Sequence, residues 1–171
     1  MPEHSPISNN RSTNTVIAAG CVMIALLFLS ASILKSIDAP AFRNVVGDLV
    51  KYMWPSTSEL PEPLRYPGIS IITTTVITLE AAIAALILLK PTRSLGLKLA
   101  LVLLIGFTGI LTLLLFMPNP PSCGCLGGAG TSSNNATIDA TVGITRNIAL
   151  IVLAFWILKA LGTQHLQKLI A

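Results

Sequence analysis

Two cysteines separated by one residue, Cys123 and Cys125, are the part of this sequence with the most distinctive chemistry. A disulfide needs two Cα atoms about 4.4–6.8 Å apart, so residues this close can be bridged only on a sharply bent backbone. Gly124 permits that bend, because glycine has no Cβ atom. The bridge would close a very small loop, and any strain in it makes it easier to reduce. The pair therefore favours redox exchange or soft-metal binding over structural cross-linking.

Two alternatives remain open for this pair. In one, the cysteines are permanently oxidised or inert; in the other, they bind Cu(I), a metal that thiolates favour. Two sulfur ligands do not complete a metal site, so the metal signal is weak. The two histidines, His4 and His165, lie near the chain ends and form no pair that would ligate a membrane haem. A neighbouring cation would lower the pKa of Cys123 or Cys125 and so select the attacking thiol.

Three charged residues within or beside apolar segments are candidates to act with the thiols. Glu80 lies near the middle of an apolar run, where an acid costs roughly 3 kcal/mol and usually pairs, faces a cavity or moves protons. At about 1.5 Å per residue it lies about 18 Å below Gly68, whereas Lys35 directly follows the first apolar run. Arg146 is therefore expected to be the easier partner. A paired Glu80 stays ionised, and a lone buried one is protonated.

The composition predicts a membrane protein. Of 171 residues, 53% are hydrophobic and 11% are charged, which is too apolar for an ordinary soluble domain. Four apolar runs have about the 20 residues needed to cross a hydrocarbon core of roughly 30 Å. We predict an all-α fold, a four-helix transmembrane bundle in one domain of residues 15–162. Its spans are predicted at about 15–36, 68–90, 95–117 and 142–161, with a disordered tail at 1–14 and a second tail at 163–171.

Two details of this bundle follow from residue type. In the third span, Gly106 and Gly109 are expected to allow close helix packing. In the first, Cys21 is expected to be a small buried residue, with a resolving role in thiol chemistry as the minor alternative. A cleavable secretory signal is the alternative for the first span, since Ser30 and Ser32 stand where small residues precede a cleavage site.

The segment between the first two spans has a different pattern. From Asp38 to Trp54, apolar residues recur at helical offsets, and Tyr52 and Trp54 suit the headgroup region, so we predict an amphipathic interfacial helix. Four prolines between positions 55 and 67 then predict an extended loop.

Basic residues predict the orientation. Lys90, Arg93 and Lys98 cluster in and beside the short turn between the second and third spans, which indicates the cytoplasmic side. Four spans then place both termini in the cytoplasm, while the cysteine loop faces the exterior or periplasm of the inner (cell) membrane. Disulfides persist in that compartment.

The order of these features resembles the MauE/DoxX-like family of integral membrane proteins. The resemblance rests on a first helix ending at Lys35, an amphipathic segment containing Phe42, Glu80 in the second span, the string Cys123-Gly124-Cys125-Leu126-Gly127 after the third, and Arg146-Asn147 at the start of the fourth. MauE proteins are implicated in methylamine utilisation, where they assist formation of the disulfide-rich small subunit of methylamine dehydrogenase. The resemblance therefore implies thiol-disulfide chemistry that faces the periplasm.

We predict a membrane protein that supports thiol-disulfide exchange with an exported or periplasmic partner protein. Cys123 and Cys125 exchange electrons, Glu80 and Arg146 tune or protonate the site, and the supporting residues are Lys35, Gly124 and Asn147. A quinone is considered as electron acceptor by analogy with unrelated four-helix membrane oxidoreductases. A noncatalytic maturation or scaffold subunit and a Cu(I)-handling protein are the alternatives. No motif predicts nucleic-acid binding, and the partner and oligomeric state are not specified by the sequence.

Overall fold

The computed structural model describes residues 9–53, 62–116 and 136–170. Within these ranges the chain forms five α-helices: α1 (Asn9–Ile37), α2 (Ala39–Met53), α3 (Glu62–Leu88), α4 (Arg93–Leu115) and α5 (Ala136–Ile170). A 3-10 turn, Lys90–Thr92, joins α3 to α4. This architecture confirms the all-α fold.

Four of the five helices are long and apolar enough to cross a membrane. The spans are Asn14–Ile37, Pro67–Leu88, Lys90–Leu115 and Ala140–Thr163, with mean hydropathy between 1.9 and 2.5. Large apolar side chains such as Leu26, Val102 and Phe155 are exposed on the outside of the bundle. An apolar exterior is stable against lipid tails, and a helix satisfies its own backbone hydrogen bonds there. The described chain is therefore a multi-pass membrane bundle.

The short helix α2 has the amphipathic character that its sequence predicts. Phe42, Val46 and Gly47 are buried, whereas Tyr52 and Met53 are exposed. The Asp38 carboxylate accepts a hydrogen bond from the backbone N–H of Ala41 at 3.4 Å and so caps the helix start. Because α2 packs mainly against α3, its buried face closes one side of the bundle.

Three helix ends differ from the sequence predictions. α1 begins at Asn9, inside the predicted disordered tail, and α5 continues to Ile170, through the predicted second tail. Extending a helix that has already formed adds one hydrogen bond for each residue fixed and avoids the unfavourable nucleation step.

The third difference is the start of α3 at Glu62, inside the predicted proline-rich loop. Pro63 lies in the first turn, where a backbone N–H has no intrahelical partner to lose. Pro67 lies further inside the helix and removes one hydrogen bond. The described helix therefore accommodates both prolines. Trp54, the last residue of the predicted amphipathic helix, and residues 55–61 of the predicted loop lie outside the described residues.

The core of the bundle lies where α1 packs on α3 and α4 packs on α5. Fully buried residues from all four spans meet there, among them Cys21, Ile87, Leu97 and Ile157. Cys21 is thus a small buried core residue. A second apolar cluster, Leu111 and Leu114 with Leu49 of α2 packed against them, lies at the opposite end of α4.

The corner between α3 and α4 is fixed by side-chain hydrogen bonds to the last carbonyls of α3. The Thr92 hydroxyl donates to the carbonyl of Leu86 at 3.0 Å, and Arg93 Nε donates to that of Ile87 at 3.2 Å. Gly96 completes the corner, because a Cβ atom there would lie 2.8 Å from the backbone nitrogen of Ile87. Only glycine allows this approach.

The predicted close packing at Gly106 and Gly109 is wrong. A Cβ atom at either position would have no neighbour within 4 Å. Both residues lie on surfaces of α4 that no other described helix approaches. A tight contact of α4 lies instead at Gly96, in the first turn of the helix.

Replacing Gly96 should therefore destabilise the protein. We expect Gly96→Ala to lower the free energy of unfolding by about 1–3 kcal/mol, since the added methyl group meets backbone atoms that cannot rotate away. Gly106→Ala is the matched control and should be neutral or stabilising by up to about 1 kcal/mol, from helix propensity. Unfolding of the purified protein in mixed micelles measures both. A Gly96→Ala protein as stable as the Gly106→Ala protein would contradict the packing.

Candidate functional site

A buried ion pair joins the end of α1 to the middle of α3. Lys35 Nζ donates a hydrogen bond to Glu80 Oε1, and the two residues are 4% and 2% exposed. Removing two charges from water is expensive, and their mutual attraction offsets this only when the geometry is good. Lys35 and Glu80 therefore depend on each other.

Helix geometry explains how Lys35 reaches a residue deeper in the bundle. The Ser32 hydroxyl donates to the carbonyl of Ile77 at 3.1 Å, so these two residues lie at the same level. In antiparallel α1 and α3, Lys35 and Glu80 are then about six residues, or roughly 9 Å, apart along the axis. Side chains in a helix lean toward its N-terminus. Lys35 thus leans into the bundle and Glu80 leans outward, and the two meet.

The expectation that Arg146 would be the easier partner of Glu80 is therefore corrected. That expectation followed from the depths of the backbone positions alone. The side chains of Lys35 and Glu80 lean toward each other, and this lean closes the difference in depth. The described hydrogen bond and ion pair of Glu80 are with Lys35.

Two aromatic rings surround the Lys35 ammonium group. Its Nζ lies 4.6 Å from the ring centroid of Phe107 on α4 and 5.2 Å from that of Phe42 on α2. Both distances are within the range of a cation–π interaction, which is stronger in a site shielded from water. The ammonium group is thus held by a carboxylate and two ring faces from three different helices.

Two polar atoms at this site have no hydrogen-bond partner within the described part of the chain. Among the described residues, the buried side-chain atoms without a partner are Glu80 Oε2 and Arg146 Nε. A buried donor or acceptor left unpaired costs about 1–3 kcal/mol, so such atoms are uncommon in folded proteins and need an explanation. One atom is an acceptor and the other is a donor.

Both of these residues line one cavity of about 190 Å³. The cavity lies in the half of the bundle where α1 and α4 end and where α3 and α5 begin, and α2 forms one wall. Its described polar and charged lining residues are Lys35, Glu80, Arg146 and Asn147, and the other lining residues are apolar. Asn147 is 2% exposed. The structure thus brings together four of the residues that the sequence singled out.

The remaining candidates, Cys123, Gly124 and Cys125, lie outside the described residues. Their segment leaves α4 after Phe116 and enters α5 at Ala136. Leu114, close to that end of α4, lines the cavity. Cys21 is buried in the core, near the opposite end of the bundle. Within residues 9–53, 62–116 and 136–170, no cluster of three or more His, Cys, Asp or Glu residues could hold a metal ion.

Sequence reasoning missed two contributors to the site, Phe107 and Ser32. Phe107 lies in an apolar span in which every residue is expected to face lipid or the core. Its residue type therefore does not distinguish it as part of a site. Ser32 could have been found, because a serine three residues before Lys35 lies on the same face of α1.

The fold and this site define a multi-pass α-helical membrane protein with an ion pair and a partly polar cavity inside its bundle. The sequence model of one family, described as methylamine utilisation protein MauE, matches residues 13–160. The chain belongs to that family, which confirms the resemblance seen in its motifs. No curated protein and no solved structure matches the chain significantly.

Replacing one residue of the ion pair should destabilise the protein more than the pair's double replacement would suggest from additive effects. We expect Lys35→Met or Glu80→Gln to lower the free energy of unfolding by about 3–5 kcal/mol, because each leaves a buried group without its partner. The double variant should lose less than the sum of the two single losses. Unfolding in mixed micelles measures all three proteins.

The exposed pair between Lys51 and Asp48, 3.6 Å apart on α2, provides the matched control. Lys51→Met should change the free energy of unfolding by less than about 1 kcal/mol, as for other surface pairs. Strictly additive effects of Lys35→Met and Glu80→Gln would contradict the pairing of these two residues.

Proposed function

We propose that this MauE-family protein supports thiol-disulfide exchange with an exported partner protein through Cys123 and Cys125. The observation that carries the proposal is the position of the charged cavity, at the end of the bundle where α4 leads into the cysteine segment. Cys123 follows Phe116 by seven residues, and a chain of that length spans at most about 25 Å. The thiols are therefore tethered to the same end of the bundle as Lys35 and Arg146.

The proposed exchange transfers one disulfide to the partner. A partner thiolate attacks one sulfur of the Cys123–Cys125 disulfide; a mixed disulfide forms, and the other cysteine leaves as a thiolate. A second partner thiolate then attacks the partner sulfur of the mixed disulfide. The partner gains a disulfide and loses two protons, and Cys123 and Cys125 gain two electrons and take up two protons.

The charged residues of the cavity have defined roles in this proposal. Cations favour the thiolate form of a nearby cysteine, which is both the nucleophile and the better leaving group. Lys35 is neutralised by Glu80, so Arg146 supplies the net positive charge among the described residues of the cavity. Glu80 keeps Lys35 in place and has one carboxylate oxygen free to accept a proton. Asn147, which also lines the cavity, is a supporting residue in this proposal.

The proposed orientation places the cysteine segment outside the inner (cell) membrane. Lys90, Arg93 and Lys98 lie at the corner between α3 and α4, and short loops rich in lysine and arginine remain in the cytoplasm. The cysteine segment follows the opposite end of α4 along the chain. An exported partner would meet it in the compartment where disulfides persist.

A membrane-impermeant maleimide tests both the orientation and the redox state of the pair. In intact cells carrying the Cys21→Ala protein, we expect labelling of Cys123 and Cys125 only after mild reduction. Ser94→Cys, in a protein without the three native cysteines, marks the corner between α3 and α4 and should be labelled only after lysis. Labelling of the native pair only after lysis would contradict the orientation, and a pair that stays free under oxidant would contradict a redox role.

Loss of either cysteine should prevent disulfide transfer. We expect Cys123→Ser and Cys125→Ser each to leave the exported partner with free thiols, because one sulfur cannot form the bridge that is transferred. Thiol trapping of exported proteins, in cells with and without this chain, measures the effect, and Cys21→Ser is the matched control. Full oxidation of the partner in the Cys123→Ser/Cys125→Ser strain would instead support a scaffold subunit.

A further inference from the structure

The cavity beside the ion pair has the size, lining and unpaired polar atoms of a binding site. An apolar cavity of about 150 Å³ holds one benzene molecule, so about 190 Å³ accommodates a six-membered ring with small substituents. Phe42 and Phe107 provide aromatic surfaces in its wall. A flat ring is therefore a better fit than a bulky headgroup.

The two unpaired atoms define the hydrogen-bonding groups that a ligand would need. Glu80 Oε2 repels an anion, and Arg146 Nε–H offers a donor that no cation can use. A neutral molecule that accepts one hydrogen bond and donates another satisfies both atoms. Phosphate and carboxylate headgroups are disfavoured because they would be placed beside a free carboxylate oxygen.

The position of the cavity indicates a lipid-soluble ligand. Leu27 and Ile72 line the cavity and are also 37% and 45% exposed on the apolar outside of the bundle. One residue of α1 and one of α3 therefore belong both to the cavity wall and to the lipid-facing surface. A ligand whose ring occupies the cavity would extend its tail past such wall residues into the surrounding lipid.

We propose that this cavity binds the ring of a membrane quinone or quinol, with Arg146 Nε donating to one ring oxygen and Glu80 Oε2 accepting from a ring hydroxyl group. A quinol satisfies both atoms, whereas a quinone has no hydroxyl group and satisfies only Arg146. The quinol should therefore bind more tightly than the quinone.

The role of the quinone as electron acceptor rests on the proposed function. Oxidation of the Cys123 and Cys125 dithiol to a disulfide breaks two S–H bonds, forms one S–S bond and releases two electrons and two protons. Reduction of one quinone to quinol takes up both electrons and both protons in two new O–H bonds. The two half-reactions balance. Binding itself does not require the thiols.

Direct binding to the full-length chain tests the proposal. The Cys123→Ser/Cys125→Ser protein is reconstituted in lipid nanodiscs and titrated with decylubiquinone and, without oxygen, with its quinol; a short-chain menaquinone is titrated alongside. We expect saturable binding of at least one of the two quinone types, with one molecule per chain and the quinol form tighter. Because this protein cannot exchange disulfides, a failure to bind contradicts the inference and leaves thiol exchange to its own tests.

Matched variants locate the site. Arg146→Gln should weaken binding at least tenfold, as expected for loss of a hydrogen bond from a charged donor. Lys98→Gln removes an exposed cation of α4 outside the cavity and should not change it. Ala31→Phe fills the cavity and should abolish binding, whereas Ala149→Phe, on the exposed face of α5, should not.

Binding is compared only among variants whose unfolding midpoint is close to that of the parent protein. Arg146→Gln and Ala31→Phe test the site independently of each other. Absence of saturable binding to the parent protein would overturn the proposal. Binding that survives both Arg146→Gln and Ala31→Phe would overturn the site. Oleate binding that depends on Arg146 and excludes both quinone types would overturn the ligand assignment.

Discussion

The ion pair between Lys35 and Glu80 is the interaction on which the site depends. A charge inside a membrane bundle is unfavourable without a partner or a polar cavity, because little water is present to solvate it. The pair fixes the end of α1 against the middle of α3 and brings Phe42 of α2 and Phe107 of α4 around the ammonium group. Arg146, from α5, lines the same cavity. All five helices thus contribute to one charged centre.

The cavity at this centre is lined by the two residues that carry the unpaired atoms. Glu80 Oε2 and Arg146 Nε have no described hydrogen-bond partner, and apolar side chains packed against them would supply none. A cavity that keeps one donor and one acceptor unpaired is unfavourable for stability. Such an arrangement is typical of sites where binding or proton movement compensates for the loss. The two unpaired atoms therefore do not stabilise the fold, which agrees with the proposal that the cavity is a binding site.

The sequence predicted four apolar spans in an all-α fold because span length is a simple consequence of membrane thickness. It also identified Lys35, Glu80, Arg146 and Asn147, since charged or amide groups beside apolar runs need a reason to be there. Their pairing was predicted less well: backbone depth suggested Arg146 as the partner of Glu80, and side-chain lean selected Lys35. The close glycine contact was misplaced because Gly96 and Gly106 look alike until the corner between α3 and α4 is known. The cavity depends on which faces of five helices meet. A local sequence pattern does not predict those contacts between helices.

The most direct test of the account is solid-state NMR of the protein in lipid bilayers, with lysine labelled with ¹⁵N and glutamate with ¹³C. The chain has few glutamates, so Glu80 can be assigned from the loss of its signal in Glu80→Gln. The account predicts a short-range cross-peak between Lys35 Nζ and Glu80 Cδ, a carboxylate chemical shift for Glu80, and loss of the cross-peak in Lys35→Met. A Glu80 signal typical of a carboxylic acid, with no cross-peak to Lys35, would contradict it.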